Sequence, residues 1–460
     1  MLGLAVALAA ALGSPPDALR SPPRTARTTG PAASFLAAAA QGRSATPSGK
    51  RTSPGRRPSP NRPRRAPGPR LSPREEEPRG FRVRGHRILP VPTFRAEPSV
   101  GLTFGLRGRY VYRPPEETFD HARLDLVGRV STRRVQDHTL DLQLRDLLHR
   151  EEILDLNLRF VDDPVFPYLG VANFEPLRGR ALAGDPEYKL HLRSVGAAFD
   201  YQQPFAVFER GQWGIETTGY ARWLVGARFA YDWIRVPTES AQREREDPGT
   251  GSRWLQDDQP AAVNLRRGSI FGGLAWDSRD NGWSPTRGSL HDVSIELGGP
   301  WVASTRHWAR FNGSARFYRS IGTPKVILAN QFVADAILGD APLVSQGEFG
   351  GLLVREGIGG RDTGRGYFRR RFIGPTKLYG SVELRVEPYE LRIFKRTLSP
   401  AFKAFMDVGY VRGLGQADAR PIISGGPGVY LVWDRFFVFR VDAGFSPEGF
   451  GVYFTTNHAF

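Results

Sequence analysis

Residues 123–130 read RLDLVGRV, a stretch in which apolar and charged side chains alternate. In an extended chain Leu124 and Leu126 share one face, and Arg123 and Asp125 share the other. A period of two, with one apolar and one charged face, is typical of a β-strand that lies between two different environments. This stretch therefore predicts a strand and not a helix.

The same alternation recurs along the chain, at residues 139–148, 151–160, 292–297, 381–386 and 437–442. The polar faces carry charges of both signs, and Trp and Tyr lie near segment ends, as in the aromatic girdles of outer-membrane barrels. A soluble β-sandwich also alternates, but it explains neither feature. No stretch after residue 12 approaches 18 apolar residues, which excludes transmembrane helices. We therefore predict an all-β fold, an antiparallel transmembrane β-barrel with its backbone groups paired.

The number of strands follows from counting such segments between residue 100 and the chain end. The count is 15 or 16, because residues 213–236 can be divided into one strand or two. Bacterial single-chain barrels have an even number of strands, so we expect 16. The segments 162–187 and 388–401 do not fit a sorting into short turns on one side and long loops on the other. If the last strand runs towards the periplasm, the long extracellular loops are 237–267, 337–376 and 412–424.

The first 80 residues differ in composition from the rest of the chain. Residues 2–12 read LGLAVALAAAL, an apolar run that is too short to span a bilayer, so we predict a signal peptide over residues 1–13. Residues 14–80 are rich in Pro and Arg, so we expect a disordered linker there and the barrel over residues 81–460. The Arg-rich and acid-poor stretch 20–70 also suits an organellar transit peptide. A plastid or mitochondrial outer envelope is therefore the alternative to the bacterial outer membrane.

Several classes of site are disfavoured by composition. The chain has no Cys, which excludes disulfides, thiolate metal sites and Cys nucleophiles. The net charge is +17, but only six of the 64 basic residues are Lys, which indicates a coding bias and not a nucleic-acid partner. The eight His show no metal-ligand spacing, and the sequence has neither G-x-S-x-G nor a phosphate-binding loop motif. We therefore expect no cofactor, no metal, no nucleic acid and no enzyme activity.

Three motifs stand in a fixed order in the second half of the chain. The first motif is a turn before a strand, with Asp277, Arg279, Asp280, Asn281, Pro285 and Gly288. The second motif is a glycine-rich loop that ends in Arg365, Gly366 and Tyr367, and the third is the chain end, YFTTNHAF at residues 453–460. Together the three motifs resemble the barrel of the bacterial surface antigen family of BamA/TamA-like assembly factors and two-partner-secretion translocases.

The resemblance implies a role in protein export, protein insertion or outer-membrane biogenesis. It also implies three partners: outer-membrane lipid, the barrel-assembly machinery during insertion, and a protein client. Assembly factors of the family carry periplasmic POTRA modules before the barrel, and we expect residues 13–80 not to form one. Two alternatives stay open. A passive or solute-selective channel would be favoured if the loop at 337–376 leaves the lumen open, and an outer-membrane enzyme would need a nucleophile and a His that converge at one rim.

The resemblance also implies that the loop bearing Arg365 turns into the lumen. Alternation places Glu383 on the charged face of the strand after the loop, and Asp407 on the same face of the next strand. We therefore expect Arg365 to pair with both carboxylates, because its planar guanidinium can form paired hydrogen bonds. The alternative is a solvated extracellular Arg, because the same loop also carries Arg361, Arg369, Arg370 and Arg371.

At the chain end, Phe460 stands at even spacing from Val452 and Phe454. We expect these three residues to share one face and to act as the insertion signal. The alternative is that the terminal aromatic residue only faces lipid.

Overall fold

Sixteen antiparallel strands form one closed barrel in the computed structural model. The model describes residues 81–83, 85–114, 120–148, 151–169, 188–209, 218–237, 262–282, 284–352, 355–393, 396–413, 420–433, 437–456 and 458–460. The expected signal peptide and linker lie outside these residues. The strands, β1 to β16 in chain order, are His86–Glu97, Gly101–Tyr112, Ala122–Ser131, Gln136–Arg145, Ile153–Pro167, Lys189–Phe208, Gly219–Arg235, Ala262–Asp277, Gly288–Gly298, Trp308–Ile321, Thr323–Gly339, Thr376–Val386, Arg396–Arg412, Ile422–Trp433, Phe437–Ser446 and Gly449–Thr455.

The two faces of the strands meet different environments, as the alternation predicted. In β3, Leu126 and Val130 are 49% and 50% exposed on the outside, whereas Asp125 and Arg129 are buried inside. An apolar outer band around a polar lumen is typical of outer-membrane barrels. The predicted fold class and strand number are therefore confirmed. Among the described residues, no helix is both long and apolar enough to span a bilayer.

The division into strands differs from the expected one in two places. The stretch 213–236 contributes the single strand β7, and the sixteenth strand is β1, which precedes the first strand that we expected. The sequence did not predict β1 as a strand because β1 contains Pro90 and Pro92, and proline is rare inside sheets. With β1 added, the connection from β5 to β6 falls at the same rim as the other long loops. We call this end the long-loop rim and the opposite end the short-turn rim.

The segment 388–401, too long for a simple turn, is a hairpin that extends beyond the short-turn rim. The short strand Leu391–Ile393 pairs with the beginning of β13, and Tyr389 beside it is exposed.

The barrel closes where β1 meets β16, and we call this junction the seam. All twelve residues of β1 pair with β2, whereas in the described part of the chain β1 and β16 are joined by the single pair Ala96 and Phe454. The short strand Phe81–Val83 pairs with His86 to Ile88 at the beginning of the same edge of β1. Because the β1–β2 ladder is unbroken, the nitrogens of Pro90 and Pro92 face away from β2 and towards the seam. Proline has no N–H to donate, so this edge of β1 lacks two hydrogen-bond donors.

The connection between β11 and β12, residues 340–375, folds into the lumen; we call it the lumen loop. Its short helix, Leu343–Gln346, packs its apolar side chains against inward-facing residues of β5 to β8. Further along, Ile358 and Phe372 form a bridge and join an apolar cluster with residues of β11 to β14. This apolar contact explains why a long polar loop stays inside the barrel.

Candidate functional site

Arg365 lies at the centre of the lumen loop with no exposed surface. Its Nε and one terminal nitrogen donate to the two oxygens of Asp407 on β13, at 2.9 and 2.8 Å. The other terminal nitrogen donates to Glu383 on β12, at 2.5 Å, and to Asp442 on β15, at 3.0 Å. The structure thus brings together the three residues that we expected to meet, and adds Asp442 as a third carboxylate.

The rest of the surroundings offset the cost of burying this charge. The guanidinium carbon stands 3.5 Å from the ring centroid of Phe405, and Lys403 donates to both Glu383 and Asp442. Burial opposes the charge of Arg365, but the carboxylates overcome this effect and raise its pKa well above the ordinary value. The guanidinium is therefore a charged, fixed anchor and not a group poised for proton transfer.

The backbone next to Arg365 lies directly against β15 and β16. The Gly366 N–H donates to the Tyr453 hydroxyl at 3.0 Å, and that hydroxyl donates to the Tyr367 carbonyl. Gly366 has φ +109°, and a side chain there would place its Cβ 2.8 Å from the carbonyl carbon of Phe445. Gly444 on β15 faces the same contact, because its Cβ would lie 2.5 Å from the carbonyl carbon of Arg365. Two glycines therefore let loop and wall touch backbone to backbone.

The lumen loop also touches both strands of the seam. On the β1 side, Arg361 stands 3.6 Å from Glu97, and both side chains are largely buried. On the β16 side, Tyr453 holds the loop backbone, and Arg371 pairs with Glu448 in the β15–β16 turn at 2.7 Å. The loop thus bridges two strands that share one backbone pair.

A family comparison covers most of the barrel that holds this site. The model of the Omp85 superfamily domain matches residues 155–446. The chain belongs to the Omp85 superfamily. This result confirms the resemblance that the three motifs indicated, and it makes the chain an outer-membrane protein.

Solved structures share the fold of this Omp85 barrel. BamA from Haemophilus ducreyi, lacking POTRA domains 1–3, is 12% identical with a TM-score of 0.50, over 81% of this chain and 70% of that chain. CdiB from Escherichia coli is 13% identical with a TM-score of 0.50, over 82% of this chain and 63% of that chain. The Omp85 chain thus spans less than two thirds of the CdiB chain. No curated protein sequence matches it.

The turn motif between β8 and β9 is stabilised by hydrogen bonds among its own residues. The Asp280 carboxylate accepts from the backbone N–H groups of Thr286 and Arg287, and Asn281 accepts from that of Ser284. Asp277 binds the guanidinium of Arg279 at 2.9 Å. Gly288, with φ +94°, starts the next strand, and Pro285 lies within the turn. These residues are placed to shape the turn.

The three residues of the expected insertion signal do not share a face in the Omp85 barrel. Val452 is 49% exposed on the outside, and Phe454 contacts Phe94 of β1 across the seam. Phe460, in contrast, is buried inside the lumen. The expectation of a common face is wrong, because β16 ends at Thr455 and its alternation does not continue to residue 460.

A signal read before folding does not depend on the folded position, so the role of Phe460 in insertion stays a prediction. Deleting Phe460 is expected to lower the amount of membrane-inserted protein several-fold without changing synthesis. The measurement is the heat-modifiable fraction in outer membranes, compared with total protein by immunoblot. Unchanged assembly would show that Phe460 is not part of the signal.

Three other residues of this site were not predicted from the sequence. Asp442, Lys403 and Ser381 contact Arg365 or its carboxylates, and none belongs to the three motifs. The sequence feature that could have predicted them is their position on the charged faces of strands, but many other residues share that position. Among the described residues, no group of three or more His, Asp and Glu side chains is placed to hold a metal ion.

Proposed function

We propose that this Omp85 barrel moves polypeptide into or across the outer membrane, with a protein client and no enzymatic step. The observation that supports this function best is the seam. The seam has one backbone pair, whereas every residue of β1 pairs with β2. Unpaired backbone groups are costly in lipid and form a template for another strand. The free edge of β1 is the part from Leu89 to Arg95, because the short strand Phe81–Val83 pairs with His86 to Ile88 and Ala96 pairs with Phe454. This free edge offers a client strand a place to pair.

A passive channel fits the lumen less well. The lumen loop fills the space between walls, and Arg365 within it has no exposed surface. A cavity of about 170 Å³ is left between the loop and the β5–β10 wall, lined by both Arg and Glu side chains. An open path for solutes would require the loop to leave, which would break the buried ion pairs of Arg365.

The enzyme alternative needs a nucleophile and a His at one rim. Ser284 and His458 do meet at the short-turn rim, with 3.2 Å between Oγ and Nε2. However, the Nδ1 atom of His458 has no hydrogen-bond partner, so no carboxylate orients the ring. Burial lowers the pKa of His458 well below its usual value, which makes the ring a weak base. The pair therefore supports a packing role and not catalysis.

The proposal predicts that locking the seam abolishes activity. The chain has no Cys, so Ala96→Cys with Phe454→Cys creates a single possible disulfide between directly paired residues. We expect the oxidised variant in liposomes to lose most of its ability to accelerate folding of an eight-stranded outer-membrane barrel added in urea. Reduction should restore it.

A matched control separates the seam from disulfide effects in general. Phe402→Cys with Val429→Cys joins β13 and β14, which are paired along most of their length, and should change nothing. If the oxidised seam variant works as well as the control, the seam is not the route. If wild-type liposomes do no better than empty ones, the insertion function itself is wrong.

A further inference from the structure

Residues 458–460, which follow β16 in the sequence, lie in the lumen. Phe460 is 8% exposed and packs with Tyr318 and Ala329, and the Arg385 guanidinium stands 5.4 Å from the centroid of its ring. These three wall residues lie on β10, β11 and β12. Tyr318 and Ala329 are directly paired and lie close to the short-turn rim, where β10 and β11 join.

His458 reaches other parts of the wall. Its ring stacks edge-on against Tyr430 of β14, with 5.0 Å between centroids, and its Nε2 contacts Ser284 in the β8–β9 turn. In a closed barrel of sixteen strands, that turn lies opposite the seam from which the segment starts. Residues 458–460 therefore lie in the mouth of the lumen at the short-turn rim, against the β8–β9 turn and the wall from β10 to β14.

The contacts that hold this segment are few and reversible. They consist of the packing of Phe460 against Tyr318, Ala329 and the Arg385 guanidinium, one ring-to-ring contact of His458 and one hydrogen bond. The described residues of the segment form no ion pair. The lumen loop, in contrast, is fixed by several buried ion pairs around Arg365. A segment with such a small contact can leave its place without disturbing the barrel wall.

We propose that residues 458–460 are a stopper that closes the short-turn mouth of the lumen and has to leave before a polypeptide or solute enters from that side. The aromatic ring of Phe460 is the group that seals the mouth, because it covers Ala329, which has no exposed surface. His458 holds the stopper across the opening.

The absence of Cys allows a direct test of access. Ala329→Cys puts a single thiol behind Phe460, and Ile337→Cys puts one at the long-loop end of the same strand, where the residue is 2% exposed. The proteins are refolded from urea into detergent, so that cellular assembly plays no part. The rate of labelling by a water-soluble methanethiosulfonate reagent is then compared with and without Phe460→Ala.

We expect Phe460→Ala to raise the labelling rate of Ala329→Cys at least tenfold and to leave that of Ile337→Cys unchanged. Phe450→Ala, which removes an outward-facing ring that is 72% exposed, should alter neither rate. An unchanged rate at Ala329→Cys would overturn the proposal. A rise at both thiols would overturn it as well, because Phe460 would then stabilise the whole barrel and not the mouth.

If Phe460→Ala does not refold, Phe460→Leu keeps an apolar side chain but loses the ring. It should still raise the labelling rate several-fold, and an unchanged rate would again contradict a seal formed by the ring.

Discussion

Arg365→Ala is expected to lower the free energy of unfolding by about 3–5 kcal/mol, since it leaves buried carboxylates without their partner. Asp407→Ala should cost a similar amount, because it removes the acceptor of the two paired hydrogen bonds. The double variant should lose clearly less than the sum of the two. Urea unfolding in detergent, followed by the gel mobility of unheated samples, gives the free energies.

Two controls make this prediction specific to the buried site. Arg306→Ala removes an ion pair with Asp340, in which both side chains are 45% exposed, and should cost less than about 1 kcal/mol. Arg365→Lys keeps the charge but not the paired hydrogen bonds, so it should recover part of the loss. Strict additivity of Arg365→Ala and Asp407→Ala would contradict a coupled pair.

Gly366→Ala should detach the lumen loop from β15 even though the change adds a single methyl group. The backbone at φ +109° is unfavourable for alanine, and the new Cβ would lie 2.8 Å from the Phe445 backbone. Each effect costs on the order of 1–3 kcal/mol, so we expect a loss comparable to that of Arg365→Ala. Limited proteolysis of the loop and urea unfolding both report this loss.

Gly449→Ala is the matched control. Gly449 also has a positive φ, +144°, but no atom lies within 4 Å of the position that its Cβ would take. It therefore keeps the backbone strain and omits the collision. Equal destabilisation by the two variants would show that strain alone matters and that the close approach of loop and wall does not.

The alternation of apolar and charged residues predicted more of the structure than any motif did. It separated the faces of the strands, and it placed Glu383 and Asp407 on the charged side, which the structure turns to the lumen. It could not find β1, because Pro90 and Pro92 interrupt the strand pattern. The structure accommodates them because their nitrogens face the seam and the β1–β2 ladder needs no donor from them.

Tertiary placement explains what was missed elsewhere. Asp442 meets Arg365 only because the lumen loop reaches across from β12 to β15, and a contact over such a sequence distance leaves no local pattern. Phe460 was placed on the wrong face because a period of two applies only while the chain is extended. Beyond Thr455, where β16 ends, an even spacing between two residues no longer places them on the same face.

The two prolines of β1 have a consequence for how long a visiting strand would stay. A strand that pairs with the free edge of β1 accepts no hydrogen bond at Pro90 or at Pro92. Affinity differences between related complexes appear mainly in the dissociation rate, so these two missing donors shorten the residence time of the visitor. For the proposed function, such an edge favours turnover over capture, because a client strand bound there would be released sooner.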